Sequence, residues 1–308
     1  MRAKKLIVLG SVNADHVLLL DQFPRPGETV IGHGYQVLPG GKGANQAVAA
    51  ARLGADVGFI ACVGDDDFGA RILERFRDDG IDTTAVTVVD GMPTGIALIQ
   101  IAASGENSIV VSPEANGCLV PELLGPQLGL LHGADTLLMQ LESPLATIEL
   151  AARKAREAGA TVVLNPAPAQ PLPNALLADV SVITPNETEA ELLTGVKVVT
   201  EDDARRAAAV LHGKGVETVI ITLGRNGAFL SGPGVSRRIE GYAVTPVDTT
   251  AAGDTFNGAL VAALQQGLEM AGAVRFAHAA AAISVTRLGA QTSIPHRAEV
   301  DKFIKDNG

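Results

Sequence analysis

Positive charge is scarce in this sequence. Its 24 lysines and arginines are outnumbered by 34 aspartates and glutamates, the formal net charge is −10, and no basic block occurs. Nucleic acid and anionic membranes are therefore poor partners, and an anionic substrate needs help from a few local cations or backbone N–H groups. Cysteine is scarce too: Cys62 and Cys118, each beside apolar residues, are the whole complement. They read as reduced core thiols of a cytosolic protein rather than as a disulfide framework. Long apolar runs are missing. Met1-Arg2-Ala3-Lys4-Lys5 leads straight into Leu6 with no cleavage signal, and the apolar helical stretch 271–285 is broken by Arg275 and His278. Tandem repeats and low-complexity linkers are absent as well. The expectation is a soluble, cytoplasmic protein of 308 residues, 47% hydrophobic. Such a chain buries about 75% of its unfolded surface in one large core, or in a core plus a small domain.

What is present centres on Asp248-Thr249-Thr250-Ala251-Ala252-Gly253-Asp254-Thr255-Phe256-Asn257-Gly258. A strand-like run, residues 242–247, stops at Asp248. Small residues then turn the chain into residues 255–266, whose apolar spacing (Phe256, Leu260, Val261, Leu264) reads as an amphipathic helix. Ala251, Ala252 and Gly253 carry almost no side chain, so a ligand can approach the backbone closely. Their N–H groups fall at a helix start, where unpaired donors and the positive end of the dipole favour an anion such as phosphate. Asp254 adds a carboxylate to the same turn. A glycine turn with an acidic helix cap is the plainer reading of the same residues.

Taken in order, the chain places further polar residues where apolar runs end. Leu6–Leu9 with Gly10 reads as a buried strand. Asn13 and Asp15 lie beyond its carboxyl end, where ligands bind in open α/β sheets; turn chemistry is the alternative. Pro39-Gly40-Gly41-Lys42-Gly43-Ala44-Asn45-Gln46-Ala47 is a glycine loop opening an alanine-rich helix to about Leu53. It is not a P-loop, because Gly43 follows Lys42 and the GxxxxGK[ST] spacing is missing. Lys42 and Asn45 are donors one helical turn apart, suited to neutral hydroxyls and to phosphate alike, although a solvated lysine at a cushioned helix start also fits. Residues 57–63 form another buried strand, and Asp65-Asp66-Asp67 reads as capping of the next helix rather than as a metal box.

Residues 17–20, 29–38, 94–101 and 108–111 are β-like and stand apart, suggesting a small sheet that serves as a lid. From Gly133 onward the pattern is regular. Strands at 136–141, 161–165, 180–184, 218–223 and 227–231 alternate with helices at 143–158, 185–193 and 201–212. Ser143 caps the first of these, with Pro144 in its favoured first position. Such alternation implies a parallel sheet covered on both faces. Glu142, Asn186, Glu189, Thr222, Gly224 and Asp254 join Asn13 and Asp15 on its carboxyl edge, where scattered caps have no reason to collect.

Gly40-Gly41-Lys42-Gly43-Ala44-Asn45 and Asp248-Thr249-Thr250-Ala251-Ala252-Gly253-Asp254 are similar to the two signatures of the phosphofructokinase-B family of carbohydrate kinases. Residues 10–15, Met139-Gln140-Leu141-Glu142-Ser143-Pro144, Asn165-Pro166-Ala167-Pro168-Ala169 and residues 184–189 extend the resemblance nearly end to end. It implies a three-layer α/β/α sandwich around a mostly parallel sheet, with a small β-sheet lid. The kinase domain would comprise residues 1–12, 41–91 and 113–308, and the lid residues 13–40 and 92–112, also mediating a homodimer. The implied activity is ATP-dependent phosphorylation of D-ribose at its 5-hydroxyl. The rivals are a kinase for 2-deoxyribose, a nucleoside or another ketose or pentose, and a non-catalytic sugar-binding or regulatory protein. A degenerate relative should have lost Asp254 or the glycine loops, and this chain keeps them.

The resemblance also implies roles by position. Asp254 is the base, and the amides of Ala251, Ala252 and Gly253 form the anion hole. Asn13, Asp15, Gly41, Lys42, Asn45 and Glu142 contact the sugar. Asn186, Thr222, Gly224, Gly227, Gly253 and His278 contact ATP, with His278 on an alanine-rich helix readable equally as a satisfied core histidine. Glu189 belongs to the motif associated with Mg²⁺, held through water. Asp248, Thr250, Ser284, Arg287, Gly289 and Ser293 match a K⁺ site, mostly through carbonyls. One departure stands out. Such kinases usually read Gly-Ala-Asn after the second lid hairpin, where this chain has Glu114-Ala115-Asn116 preceded by Pro113. The extra carboxylate bears on sugar specificity or on lid geometry.

Overall fold

Short apolar runs alternating with amphipathic stretches become, in the computed structural model, a large sheet with helices on both faces; residues 5–307 are described. From β1 (Leu6–Leu9) the chain passes into β2 (Asn13–Leu20) and β3 (His33–Gly40), then turns into α1 (Lys42–Arg52). It returns through β4 (Val57–Gly64), α2 (Asp67–Asp78) and β5 (Val86–Val89). The hairpin β6 (Gly95–Ala102) and β7 (Asn107–Ser112) leads to two short helices, α3 (Pro121–Leu124) and α4 (Leu128–Gly133). Next come β8 (Thr136–Met139), α5 (Leu145–Glu157), β9 (Thr161–Leu164), α6 (Asn174–Asp179), β10 (Val182–Ile183), α7 (Glu187–Thr194) and α8 (Glu201–Gly213). The chain closes with β11 (Thr218–Thr222), β12 (Ala228–Gly232), β13 (Val235–Ile239), α9 (Ala252–Gln265), α10 (Met270–Ser284) and α11 (Arg297–Asn307).

The large sheet has the order β13-β12-β11-β10-β9-β8-β1-β4-β5 and is parallel except that β12 runs antiparallel to both β11 and β13. Its central strands are buried end to end, which is why they read as continuous apolar runs rather than as alternation. Successive side chains still divide between two cores. Leu6, Val8, Phe59 and Ala61 pack under α1, α2, α9 and α10, while Ile7, Leu9, Ile60 and Cys62 pack under α5 to α8. The result is the expected three-layer sandwich. Cys62 and Cys118 are both free thiols, though only Cys62 is buried. No helix among the described residues is long and apolar enough to cross a membrane.

The four β-like segments that stand apart form a separate sheet, ordered β3-β2-β6-β7. β2 pairs with β6 in parallel, and the outer pairs are antiparallel. Asp66 caps α2 by accepting from Gly69 N (2.6 Å) and also holds Thr94 at the foot of β6, so the acidic triple does cap a helix.

Three expectations need correction. Residues 242–247 form no strand: Pro246 has no N–H to give a ladder, and Val247 donates instead to Val285 O (2.7 Å). Ser143 does not cap the following helix; Pro144 takes the N-cap position without a side-chain bond, and the Ser143 hydroxyl is buried without a partner. The third strand-like segment starts at His33 rather than Thr29, because residues 29–32 pair with nothing.

One packing detail sets up the site. α1 and α9 cross at Gly258, where a Cβ would lie 2.5 Å from Ala49 Cβ and 2.6 Å from Gln46 O. This close approach brings the first turn of α1 against the first turn of α9.

Candidate active site

Because β1 and β8 to β11 run parallel, their carboxyl ends share one edge, and a cleft of about 230 Å³ opens there. Lys42, Asn165, Asn186, Glu189, Thr222, Thr249 and Ala251 to Asp254 line it, together with Thr184 and Asn257. The glycine loop and the α9 turn, whose Asn45 and Asp254 are 209 residues apart in sequence, thus meet at one place.

Asp254 and Glu189 are the buried carboxylates of that cleft; Asp254 is held by two amides. Its Oδ2 accepts from Asn45 Nδ2 (3.0 Å) and its Oδ1 from Gln46 Nε2 (2.9 Å). The α9 N-cap is Ala251, held at φ 57 in the left-handed region. That conformation is uncommon outside glycine, and a left-handed residue in a turn is the backbone setting in which successive N–H groups form an anion-binding nest. Of the three amides expected there, Ala252 N donates to Thr249 O (3.2 Å). Among the described residues no acceptor reaches the N–H of Ala251, Gly253 or Asp254. Asn257 steadies the turn, donating to Gly253 O (2.8 Å) while accepting from Thr184 Oγ1 (2.6 Å).

Beside this turn the carboxylates crowd around one lysine. Burial works against charge on Lys42, yet Asp254, Glu142, Glu189 and Asp15 together raise its pKa above the ordinary value. Glu142 Oε2 accepts from Ser11 Oγ (2.6 Å) and from Lys42 N (3.0 Å), so it also caps α1. Burial, with Glu142 and Asp254 nearby, pushes the Asp15 carboxyl up to about 7. A side chain at residue 40 would collide with that carboxylate, its Cβ 2.0 Å from Asp15 Oδ2, which is why the loop has glycine there. Gly41 has φ 90 and abuts Asn13 N, where a Cβ would sit 2.8 Å away. Asn13 is fixed in turn: its Oδ1 accepts from Asn116 Nδ2 (2.8 Å), and Asn116 Oδ1 accepts from Val12 N. Glu114 keeps a left-handed φ of 46, and its carboxylate accepts from Ser112 Oγ rather than from a cleft residue.

On the far side, Asn186 and Glu189 form a reciprocal capping box on α7. Burial raises the Glu189 pKa, with Lys42 and the Asn186 N–H opposing that rise. Thr222 bridges to Asn186 at the end of β11, and Gly224 and Gly227 shape the turn beyond it. His278 is buried against Phe256 in an edge-on contact of 5.0 Å, outside the residues lining the cleft, with Nε2 unpartnered. Burial lowers its pKa to about 4, so the ring is neutral. Asp248 accepts from Thr250 N and Oγ1 through Oδ1, and from Gly289 N (2.9 Å) through Oδ2. Burial opposes its charge, but those hydrogen bonds hold the carboxyl below its usual range. The Asp248 turn and the loop holding Arg287, Gly289 and Ser293, just after Ser284 at the α10 end, are therefore joined. Arg287 itself turns away to pair with Glu299.

Sequence reasoning left Ser11, Gln46, Asn116, Gln140 and Asn165 without roles. Asn165 stands at the end of β9, where the strand-end logic applied to Glu142 and Asn186 would have found it. Gln140 follows β8 in the same way, whereas Gln46, within an alanine-rich helix, gives no comparable signal.

A model of the pfkB family of carbohydrate kinases matches residues 3–297 of this chain. Haemophilus influenzae ribokinase is 54% identical over 302 residues, covering 98% of this chain and 99% of that protein. The structure of Arabidopsis thaliana ribokinase complexed with ribose and ATP matches with a TM-score of 0.91 at 36% identity, covering 98% of this chain and 99% of that one. An E. coli protein in complex with ATP and Mg²⁺ matches with a TM-score of 0.83 at 25% identity, covering 99% of this chain and 100% of its own.

Proposed function

The chain belongs to the pfkB family of carbohydrate kinases, and from that premise we propose that it transfers the γ-phosphoryl group of ATP to the 5-hydroxyl of D-ribose, giving D-ribose 5-phosphate and ADP. The observation that carries this reading is Asp254: a buried carboxylate gripped by Asn45 and Gln46, adjoining unpaired N–H groups in a cleft that also holds Lys42. Phosphoryl transfer asks for in-line positioning and neutralisation of the transferring oxygens rather than covalent catalysis. Asp254 takes the proton of the attacking hydroxyl. The Ala251, Gly253 and Asp254 amides, with the Lys42 ammonium, offset the charge on the transferring group, as preorganised donors do.

Asn13, Asp15, Gly41, Lys42, Asn45 and Glu142 hold the sugar in this reading. The Asn45 Oδ1, buried without a partner, is an acceptor ready for a hydroxyl. Asn186, Thr222, Gly224, Gly227, Gly253 and His278 fall to the nucleotide. Residues 13–40 and 92–112 act as the lid over the sugar, and the remainder as the kinase domain. Its work with ATP and its free thiols fit the cytoplasm.

Two cations complete the proposal. No cluster of three or more metal-ligating side chains exists among the described residues. Mg²⁺ keeps several waters and binds through one or two carboxylates plus substrate phosphates, so Asn186 and Glu189 on the cleft wall fit it through water. The oxygen-rich junction of Asp248 and Thr250 with the loop containing Gly289 and Ser293 suits a K⁺ ion held mainly by carbonyls. Mg²⁺ bound there would supply charge neutralisation, and K⁺ would fix the turn that carries the anion-hole amides.

A coupled assay of ADP release across a sugar panel tests the substrate. D-ribose should be preferred, with 2-deoxyribose clearly poorer by kcat/KM, because a missing hydroxyl strands buried polar groups and can cost up to ~10⁴-fold. Equal or better use of 2-deoxyribose would overturn the ribose assignment.

A further inference from the structure

Asp254 is gripped from behind by Gln46, whose amide never reaches the cleft. Gln46 is 0% exposed and Gln140 is 1% exposed, and neither lines the cleft. Gln46 Nε2 donates to Asp254 Oδ1 (2.9 Å) and to Asn165 Oδ1 (3.0 Å). Its Oε1 accepts from Gln140 Nε2 (2.7 Å). Asn165 Nδ2 in turn donates to Thr184 O (3.3 Å).

This chain of amides has one consistent direction. The Thr184 carbonyl only accepts, so Asn165 turns its Nδ2 there and its Oδ1 toward Gln46. Gln46 then faces two acceptors, Asn165 Oδ1 and the Asp254 carboxylate, and must present both hydrogens of its amide. A flipped Gln46 would set Oε1 against a carboxylate in a buried place, with two acceptors left unpaired. Gln140 closes the arrangement by giving Oε1 its donor. Gly10 makes room for that side chain: a Cβ at residue 10 would lie 2.1 Å from Gln140 Oε1.

We propose that Gln46 is a positioning residue for the reaction, that its amide aims Asp254 at the sugar hydroxyl, and that Gln140 and Asn165 fix which way the amide points. The inference rests on the reading of Asp254 as the base. Asn45 grips the second oxygen, so the two amides together set the rotation of the carboxylate. A misplacement of about 1 Å at such a group can cost 10²-fold in rate.

The other charged groups around Asp254 are Lys42 of α1, Asp15 of β2 and Glu189 of α7. On α10 the titratable His278 is neutral and turned against Phe256, and β8 carries no titratable side chain. None of them is altered in the variants that test the proposal.

Gln46→Met and Gln140→Met, made singly and in an Asp254→Asn background, separate the possibilities. Ribose affinity by calorimetry, kcat and KM are the readouts. Gln46→Met should lower kcat by about 10- to 100-fold while ribose affinity holds. Gln140→Met should act in the same direction and less strongly. In the Asp254→Asn background neither change should lower the residual rate further. Unchanged kcat in both variants, with only thermal stability reduced, would mean that the amides are merely structural. An undiminished effect in the Asp254→Asn background would also overturn the proposal. Should Gln46→Met fail to fold, Gln140→Met decides by the same two criteria. Near-normal turnover of Asp254→Asn alone would instead remove the base assignment, and the proposal with it.

Discussion

Asp15 shows at the scale of one residue how function is set against stability. Its folded pKa, about 7, stands above the ordinary 3.8 because burial and two neighbouring carboxylates penalise its charge. Between those values the native state holds a proton that the unfolded chain has released, so stability falls as pH rises through the window. The penalty is complete above the folded value. Asp15→Asn should therefore raise Tm at about pH 8, with the gain vanishing toward about pH 4. Wild-type ribose affinity should improve from about pH 6 to about pH 8 as the accepting carboxylate forms, a dependence the variant lacks. Melting curves in which the variant's advantage is the same at both ends of the range would contradict the account. Asp15 and Asp254 were legible in the sequence because carboxylates at strand ends and helix starts announce themselves. Gln46 was not. A glutamine in an alanine-rich helix has no spacing signature, and its role depends on Gly258 letting α9 approach α1.

At the scale of elements, chain order and type were legible wherever burial dictates a pattern: β1, β4, β8, β9 and β11 are apolar, and α1, α7 and α8 follow recognisable starts. Edge and satellite elements were not. β5 and β13 are short edge strands of the large sheet: β5 is only Val86-Thr87-Val88-Val89, with no residue fully buried, and β13 presents Ser236, Arg237 and Arg238 to solvent, so β13 lacks the apolar run that marks a buried strand. Residues 242–247 failed oppositely, having β-like composition but Pro246 and no partner strand. The junction of the Asp248 turn with the loop after α10 belongs to this scale, because two segments 41 residues apart meet through Gly289 N and Asp248 Oδ2. Activity should depend on K⁺ there. Assays in K⁺, Na⁺ or a bulky organic cation at matched ionic strength should show selective activation by K⁺, lost in Asp248→Ala. Equal rates in all three cations would sink the claim.

For the whole molecule, the small sheet leaves apolar side chains in solvent: Ile31 in the β2–β3 connection, Tyr35 on β3, Leu98 on β6, and Ile109 and Val110 on β7. Leu98 and Val110 pair across β6 and β7 and so share a face; exposed apolar side chains on a small sheet mark an interaction surface, which supports pairing of two copies through their lids. Light scattering at micromolar concentration should report a dimer; a fully active monomer would remove that proposal. The central claim is that Asp254 is the base of a sugar kinase, and turnover of Asp254→Asn against ribose and ATP tests it most directly. The account predicts a kcat lower by about 10²–10⁴-fold, the range for a lost general base, with ribose still bound by calorimetry. Turnover near the wild-type rate would contradict it.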